Sequence, residues 1–141
     1  MASKGSAKWQ GDLKGGSGTF LAGESITGNY SFKSRFEDGD GANPEQLIGA
    51  AHAACFSMAL SNMLAEAGSP PDSVETEAVV TLRIVDGAPT ITKIVLTTVG
   101  QVPGIDDAAF QEHAKAAKEG CPVSKALAGV DEIMLEASLQ S

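Results

Sequence analysis

Residues 43–68 read NPEQLIGAAHAACFSMALSNMLAEAG and carry the clearest structural signal in the chain. Asn43 is a preferred helix N-cap, Pro44 suits the first helical position, and Gln46 lies where a capping box places its returning side chain. Gly68 can adopt the left-handed conformation that ends a helix, and the prolines that follow it prevent the helix from restarting. The pattern predicts one helix from residue 44 to about residue 67.

The middle of this helix is apolar on nearly every face. A helix that is hydrophobic all round has to be buried all round. A single small domain, in a chain of 141 residues, cannot cover every face of a central helix. We therefore expect a second copy of the chain to pack on it, in an intertwined homodimer.

The segments on either side of the helix have the patterns of strands and shorter helices. Period-two alternation and glycine-rich turns predict short antiparallel strands over residues 1–41, the last of them around Tyr30-Ser31-Phe32. Downstream, the patterns predict strands over residues 74–84 and 91–99, an Ala-rich helix from residue 106 or 107 to 120, a short helix over 122–127 and a strand over about 132–138. This order of elements predicts an α+β fold that forms a single domain over residues 1–141.

Composition narrows the classes of partner. The formal net charge of −8 and the pI near 4.6 argue against nucleic acid or an anionic membrane surface as the main partner. His52, Ser57, Ser61 and Asn62 interrupt the only long apolar run, so we expect no membrane-spanning segment. The first residues show no secretory leader, which predicts a cytoplasmic protein in a reducing compartment.

The chain has two cysteines, in different settings. Cys55 is expected to be buried in the middle of the apolar helix, and Cys121 precedes Pro122, where it would be the N-cap of the next helix. A thiolate at a helix N-terminus has a lowered pKa. The two settings suggest an attacking and a resolving sulfur, as in a thiol peroxidase. Packing of Cys55, simple tolerance of Cys121 at a cap, and a structural disulfide are the alternatives.

Two further kinds of site are possible from the residue types. His52, Cys55, His113 and Cys121 could supply four metal ligands, but their spacing does not resemble that of a zinc site. His52 and Cys55 could form a hydrolase dyad, although no segment resembles an oxyanion-hole loop and His52 could simply bond within the core. The spacing therefore does not favour a metal site.

Two motifs resemble those of a known family. Residues 43–57 look like the active-site helix of the OsmC/Ohr family, the osmotically inducible and organic hydroperoxide resistance proteins, and residues 120–125, GCPVSK, are similar to its second cysteine motif. The order and separation of the motifs also match. Residues 49–52, GAAH, which precede Cys55, and Arg35 further upstream resemble the sequence of the OsmC branch.

The resemblance implies a homodimeric, cofactor-free thiol peroxidase of oxidative and osmotic stress defence that reduces organic hydroperoxides. It implies that Cys55 is the peroxidatic thiol, Cys121 the resolving thiol, Arg35 the activating guanidinium and Glu45 the carboxylate that orients it. An external thiol, such as a lipoyl dithiol, would reduce the resulting disulfide. The competing hypothesis is a non-catalytic, stress-responsive dimer with structural cysteines.

Two expectations about the site follow. Apolar walls from Leu47, Ile48, Phe56 and Met58 would favour alkyl or lipid hydroperoxides over hydrogen peroxide. Glu45 and Cys55 are ten residues apart on one helix, about 15 Å along its axis, so Glu45 cannot reach the thiol of its own helix. If Glu45 serves the site, it should serve the thiol of the dimer partner.

Overall fold

The computed structural model describes residues 1–140 of the chain. Its elements, in chain order, are β1 (Gly5–Gln10), β2 (Ser17–Ala22), β3 (Ile26–Tyr30), α1 (Phe32–Phe36), α2 (Pro44–Glu66), β4 (Ser73–Val85), β5 (Ala88–Gln101), α3 (Asp107–Gly120), α4 (Pro122–Ala126) and β6 (Glu132–Gln140). The predicted α+β class is confirmed. The elements fall into two compact units, Met1–Leu47 and Ile48–Ser141.

The first unit contains an antiparallel sheet in the order β1-β2-β3. Trp9 and Tyr30 stack on its surface with ring centroids 5.4 Å apart. Gly18 lies between them in register, and a Cβ there would come within 2.5 Å of the Tyr30 ring. Glycine is therefore required at this point of β2 because the two rings occupy the space above it.

The strand expected through Tyr30-Ser31-Phe32 ends earlier than predicted, so the expectation is wrong for Ser31 and Phe32. Strand β3 stops at Tyr30 and α1 begins at Phe32, because Ser31 caps the helix. The Ser34 N–H donates to Ser31 Oγ (3.1 Å), and the Ser31 N–H donates to Ser34 Oγ (2.8 Å), which together form a capping box. Ser34 Oγ also donates to the Ala42 carbonyl at 2.7 Å and so fixes the path of the chain towards α2.

The predicted ends of α2 are confirmed. Asn43 Oδ1 accepts from the Gln46 N–H at 2.8 Å, as an N-cap does. At the other end Gly68 has φ +91°, and the Ser69 N–H donates to the Leu64 carbonyl at 2.9 Å. This is the hydrogen-bonding pattern of a left-handed helix stop.

The second unit contains the sheet β4-β5-β6. Strands β4 and β5 form an antiparallel hairpin whose turn, Asp86-Gly87, has positive φ at both residues, and β6 pairs with β5 in parallel. The core lies between this sheet and the helices and is made of eight buried side chains: Phe56, Leu60, Leu64, Leu96, Val102, Phe110, Ala114 and Ala117.

Within the second unit α2 is buried along one face only. Phe56, Leu60 and Leu64 are fully buried, whereas Ala54 is exposed and Met58 is 75% exposed. The expectation that a second copy of the chain buries the exposed faces of α2 remains a prediction.

Within residues 1–140, α2 is long and apolar enough by length and composition to cross a membrane. The expectation that the polar residues of α2 leave no segment apolar enough to span a membrane is therefore wrong. The core helix of a soluble protein meets the same criterion, and α2 supplies three core side chains, so the criterion is weak evidence for a span.

Candidate active site

The two cysteines lie side by side in the second unit. Cys55 is on α2, and Cys121 is the junction between α3 and α4, where its N–H donates to the Ala117 carbonyl at 2.9 Å. The two Sγ atoms are 2.9 Å apart and belong to free thiols. Cys121 is fully buried and Cys55 is partly exposed, which reverses the expectation that Cys55 is the buried thiol. A small reagent therefore meets Cys55 first.

The surroundings move the pKa values of the two thiols in opposite directions. Burial, followed by the hydrogen bond with Cys121, raises the pKa of Cys55. Burial alone would raise the pKa of Cys121 as well, but the hydrogen bonds that reach it from Cys55, Ser124 and Val123 outweigh burial and lower it. The predicted lowering at Cys121 is confirmed in direction. Cys121 is therefore the more acidic thiol of the pair.

Cys121 occupies the N-cap position of α4 without making a side-chain cap hydrogen bond. Against the effect of burial, its pKa is lowered first by the hydrogen bond with Cys55 and then by the Ser124 and Val123 N–H groups and the Ser124 hydroxyl. Pro122, at the first helical position, has no N–H to contribute. A thiolate at this junction is stabilised by its surroundings rather than by one strong bond.

His52 lies behind the thiol pair, one turn before Cys55 on α2. It is fully buried, and its Nε2 is 2.7 Å from Ser124 Oγ. Burial lowers the pKa of His52, so the ring is neutral at pH 7. The possibility that His52 bonds within the core is confirmed. Ser124 was missed in the sequence, because no local pattern pairs it with a histidine 72 residues away.

Arg35 and Glu45 form an ion pair in the first unit. Arg35 Nη2 donates to Glu45 Oε1 at 2.8 Å, and Nε lies 3.2 and 3.3 Å from the two carboxylate oxygens. The Glu45 side chain is 8% exposed and that of Arg35 is 35% exposed. Such a fork holds the guanidinium in one orientation.

Arg35 also lines a cavity of about 390 Å³ in the first unit, whose other walls are largely aromatic: Trp9, Tyr30, Phe32 and Phe36. The Arg35 guanidinium lies over the Phe36 ring, 5.4 Å from its centroid. The expectation that Phe56 forms an apolar wall of the substrate site is wrong, because Phe56 is fully buried in the core.

The structure thus brings the four candidate residues together as two pairs, the thiol pair (Cys55 and Cys121) and the ion pair (Arg35 and Glu45), in different units. Among residues 1–140, no three His, Cys, Asp or Glu side chains are arranged to hold a metal ion.

Comparison with known proteins identifies the family. The family model described as OsmC-like protein matches residues 37–136. The chain belongs to the OsmC family. Peroxiredoxin OsmC of Escherichia coli is 51% identical over 140 residues, which cover 98% of this chain and 96% of that protein. The predicted resemblance, including the OsmC branch, is confirmed.

Members of the Ohr branch also match. Organic hydroperoxide resistance protein OhrB of Bacillus subtilis is 41% identical over 96 residues, 68% of this chain and 69% of that protein. Its crystal structure aligns with a TM-score of 0.70 at 27% identity, and covers 99% of this chain and 98% of that chain. The OhrB structure therefore has the same fold as this chain along essentially its whole length.

Proposed function

We propose that this protein is a thiol peroxidase that reduces organic hydroperoxides to alcohols. The observation that carries the proposal is the thiol pair: two free sulfurs 2.9 Å apart, one partly exposed and one buried. This is the arrangement that a two-cysteine peroxidase needs, with one sulfur that substrate can reach and a second within bonding distance of it. The names of the OsmC and OhrB relatives support the same activity.

The reaction has two steps at the thiol pair. Cys55 gives up its S–H proton as its sulfur attacks the distal peroxide oxygen, the O–O bond breaks, and the alkoxide leaves as the alcohol after taking up a proton; Cys55 becomes a sulfenic acid. The Cys121 thiolate then attacks that sulfur, the S–O bond breaks, and hydroxide leaves as water after taking up a proton. The resulting disulfide protects Cys55 from irreversible oxidation.

Arg35 activates the peroxide, and Glu45 holds the Arg35 guanidinium in place. Lowering the pKa of a thiol raises its thiolate fraction but lowers the nucleophilicity of each thiolate, with a Brønsted slope of about 0.4–0.5, so much of the gain cancels. The value of Arg35 lies instead in orienting the peroxide and stabilising the departing alkoxide. Its fork to Glu45 preserves the orientation that this requires.

The aromatic cavity beside Arg35 favours a substrate with a hydrocarbon tail. An external thiol, of which a lipoyl dithiol is an example, reduces the disulfide and completes the cycle. The protein works as a homodimer in the cytoplasm, with residues 1–141 as one domain. The apolar surface of α2 around Met58 is the part of the chain that a second copy would cover.

Mass spectrometry after one equivalent of cumene hydroperoxide tests the proposal. We expect one Cys55–Cys121 crosslink per chain and one equivalent of alcohol, with no crosslink in the Cys55→Ser control. Two thiols that stay reduced while hydroperoxide remains would contradict the proposal and favour the non-catalytic dimer.

A further inference from the structure

Two polar contacts join α2 to the start of α4. Cys55 and Cys121 form the first, with their sulfurs 2.9 Å apart. His52 and Ser124 form the second, with His52 Nε2 2.7 Å from Ser124 Oγ. The proposed chemistry uses the first contact and leaves the second without a role.

The two contacts occupy matching positions on the two segments. His52 precedes Cys55 by three residues on α2, and Ser124 follows Cys121, the N-cap of α4, by three residues. Residues three apart on a helix share one face. The contacts therefore lie about one helical turn apart between the same two segments. A second contact at this separation limits the rotation and sliding of α4 that a single contact would allow.

Helix α4 depends on outside contacts for its position. It has five residues, Pro122–Ala126, whereas isolated helices shorter than about 12 residues are marginal in water. Of these five described residues, Ser124 is the one that is buried. Its hydrogen bond to the fully buried His52 therefore attaches α4, and with it Cys121, to α2.

The buried polar pair is a costly way to fill this space. His52 Nδ1 is buried and, among residues 1–140, has no hydrogen-bond partner. An unpaired buried polar atom lowers stability, and replacing both partners of a buried hydrogen bond by apolar groups of the same shape can be nearly neutral. A well-attested benefit of a buried polar residue is that it fixes the register of packed helices at some cost in stability. The contact of His52 with Ser124 has the properties of such a register contact.

We propose that His52 and Ser124 are positioning residues whose hydrogen bond holds α4 in register with α2 and so keeps the Cys121 sulfur within bonding distance of the Cys55 sulfur. Without this bond, α4 would also take up positions in which the sulfurs are apart, and disulfide formation would have to reverse that freedom. The inference rests on the proposed peroxidase function for its role in resolving the sulfenic acid. Its structural content is tested without a hydroperoxide.

The test measures the effective concentration of Cys121 at Cys55 in a glutathione redox buffer. The Cys55 sulfur attacks one sulfur of glutathione disulfide, and one glutathione thiolate leaves. The Cys121 sulfur then attacks Cys55 in this mixed disulfide, and the second glutathione thiolate leaves. Each attacking thiol gives its proton to the buffer, from which each leaving thiolate takes one up. Intact mass after acid quenching gives the ratio of internal to mixed disulfide, which is multiplied by the glutathione concentration.

Variants of the two positioning residues should lower this effective concentration. His52→Leu, an apolar replacement of similar size, should lower it about threefold to tenfold, the effect that loss of one hydrogen bond can produce. Ser124→Ala should lower it to a similar extent, and the double variant should match the single variants because each removes the same bond. His52→Gln keeps a polar group that can reach Ser124 and should restore most of the loss.

Ser57→Ala is the matched control. Ser57 lies on the same helix, and its hydroxyl donates to Thr76 Oγ1 over the same 2.7 Å, but Thr76 belongs to β4. Its loss should leave the effective concentration unchanged. Urea denaturation of the reduced proteins shows which variants are folded in the assay. If a single variant fails to fold, the double variant, which leaves neither buried polar group without its partner, carries the test.

The outcomes separate this inference from the proposed function. A purely structural contact would lower the free energy of unfolding and leave the effective concentration of the folded variants unchanged, which would overturn the inference. An equal loss in Ser57→Ala would overturn it as well. A wild-type protein that forms the internal disulfide but consumes no hydroperoxide overturns the proposed function and the role in resolution, while the variants still decide whether the contact positions the sulfurs. An active wild type whose variants keep the full effective concentration overturns the positioning role alone.

Discussion

The thiol pair and the ion pair differ in how the chain builds them. Cys55 and Cys121 are 66 residues apart and meet because α2 and the α3–α4 junction pack in one core. Arg35 and Glu45 are ten residues apart and meet through a short connection that Ser34 fixes by its bond to Ala42. One pair depends on the tertiary core and the other on local capping.

The two pairs also hold charge in different ways. The ion pair holds a nearly buried carboxylate beside a guanidinium that is 35% exposed. The thiol pair joins two sulfurs whose pKa values move in opposite directions. Under the proposed function, this structural difference separates substrate activation by the ion pair from redox chemistry at the thiol pair.

The largest effect should come from breaking the thiol pair. Cys55→Ser should abolish hydroperoxide consumption, because no other side chain attacks the O–O bond. Cys121→Ser should complete one turnover and then stall as Cys55 over-oxidises. A coupled assay and intact-mass measurement distinguish the two, and multi-turnover activity in Cys55→Ser would exclude Cys55 as the nucleophile.

Breaking the fork of the ion pair should have the next largest effect. Arg35→Lys keeps the positive charge but loses the planar geometry, so we expect most activity to be lost. The control is Arg83→Lys, at the chain's other, exposed arginine. Activity is compared at pH 7 and pH 9. Rescue at the higher pH would show that the thiolate fraction, rather than orientation, is what Arg35 supplies.

The helix geometry of Glu45 and Cys55 predicts an intermediate effect. The continuous helix α2 contains both residues, about 15 Å apart along its axis, so Glu45 should serve the partner's thiol. A mixed dimer of one Cys55→Ser chain and one Glu45→Ala chain would then contain one intact site, with about half of the wild-type activity. With both parents inactive, an inactive mixed dimer would place each site within one chain.

Particular residues show how far the sequence could go. The ends of α2 were predictable because Asn43 and Gly68 act on their immediate neighbours. Helix α1 was missed because Tyr30-Ser31-Phe32 alternates like a strand, and only the Ser31–Ser34 hydrogen bonds reveal the cap. The parallel pairing of β6 with β5 and the exposure of Cys55 depend on long-range packing, which no local pattern encodes.

The settings of the two cysteines suggested an attacking and a resolving sulfur, but the role of each of the four candidate residues came from the family resemblance. His52 was visible as a core residue, but its partner Ser124 was not, since their contact joins two distant helices. The sequence therefore predicts local structure and family membership better than it predicts the polar contacts between distant segments.

The unequal burial of the ion pair predicts unequal costs to stability. Arg35→Ala would leave the buried Glu45 carboxylate without its cation and should lower the free energy of unfolding by about 2–3 kcal/mol. Glu45→Ala leaves a guanidinium that can turn towards water and should cost about 1 kcal/mol. Urea denaturation measures both, with the exposed Glu37→Ala as control. Equal losses in the free energy of unfolding would mean that the Arg35 guanidinium is as constrained as the buried Glu45 carboxylate.

The smallest effect should come from the opposite pKa shifts of the two thiols. These shifts predict that the free energy of unfolding depends on pH in opposite ways in the two single-cysteine variants. In Cys55→Ser the hydrogen bond from the Cys55 thiol is lost, and we expect the replacing hydroxyl and the donors of Ser124 and Val123 to keep the pKa of Cys121 below its ordinary 9.0. The folded state then loses its proton before the unfolded state does. The unfolded state then binds more protons, and the free energy of unfolding rises with pH up to about 9.

In Cys121→Ser the remaining Cys55 has a pKa raised from 9.0, chiefly by burial, so the folded state keeps its proton longer and stability falls as pH rises above 9. Each slope is at most about 1.4 kcal/mol per pH unit, because one proton is involved. Urea denaturation of both variants between pH 7 and 10 measures the difference, in which all other titrating groups cancel. Parallel curves would mean that the asymmetry exists only while both sulfurs are present, so that each thiol owes its shift to the other rather than to the surrounding helices.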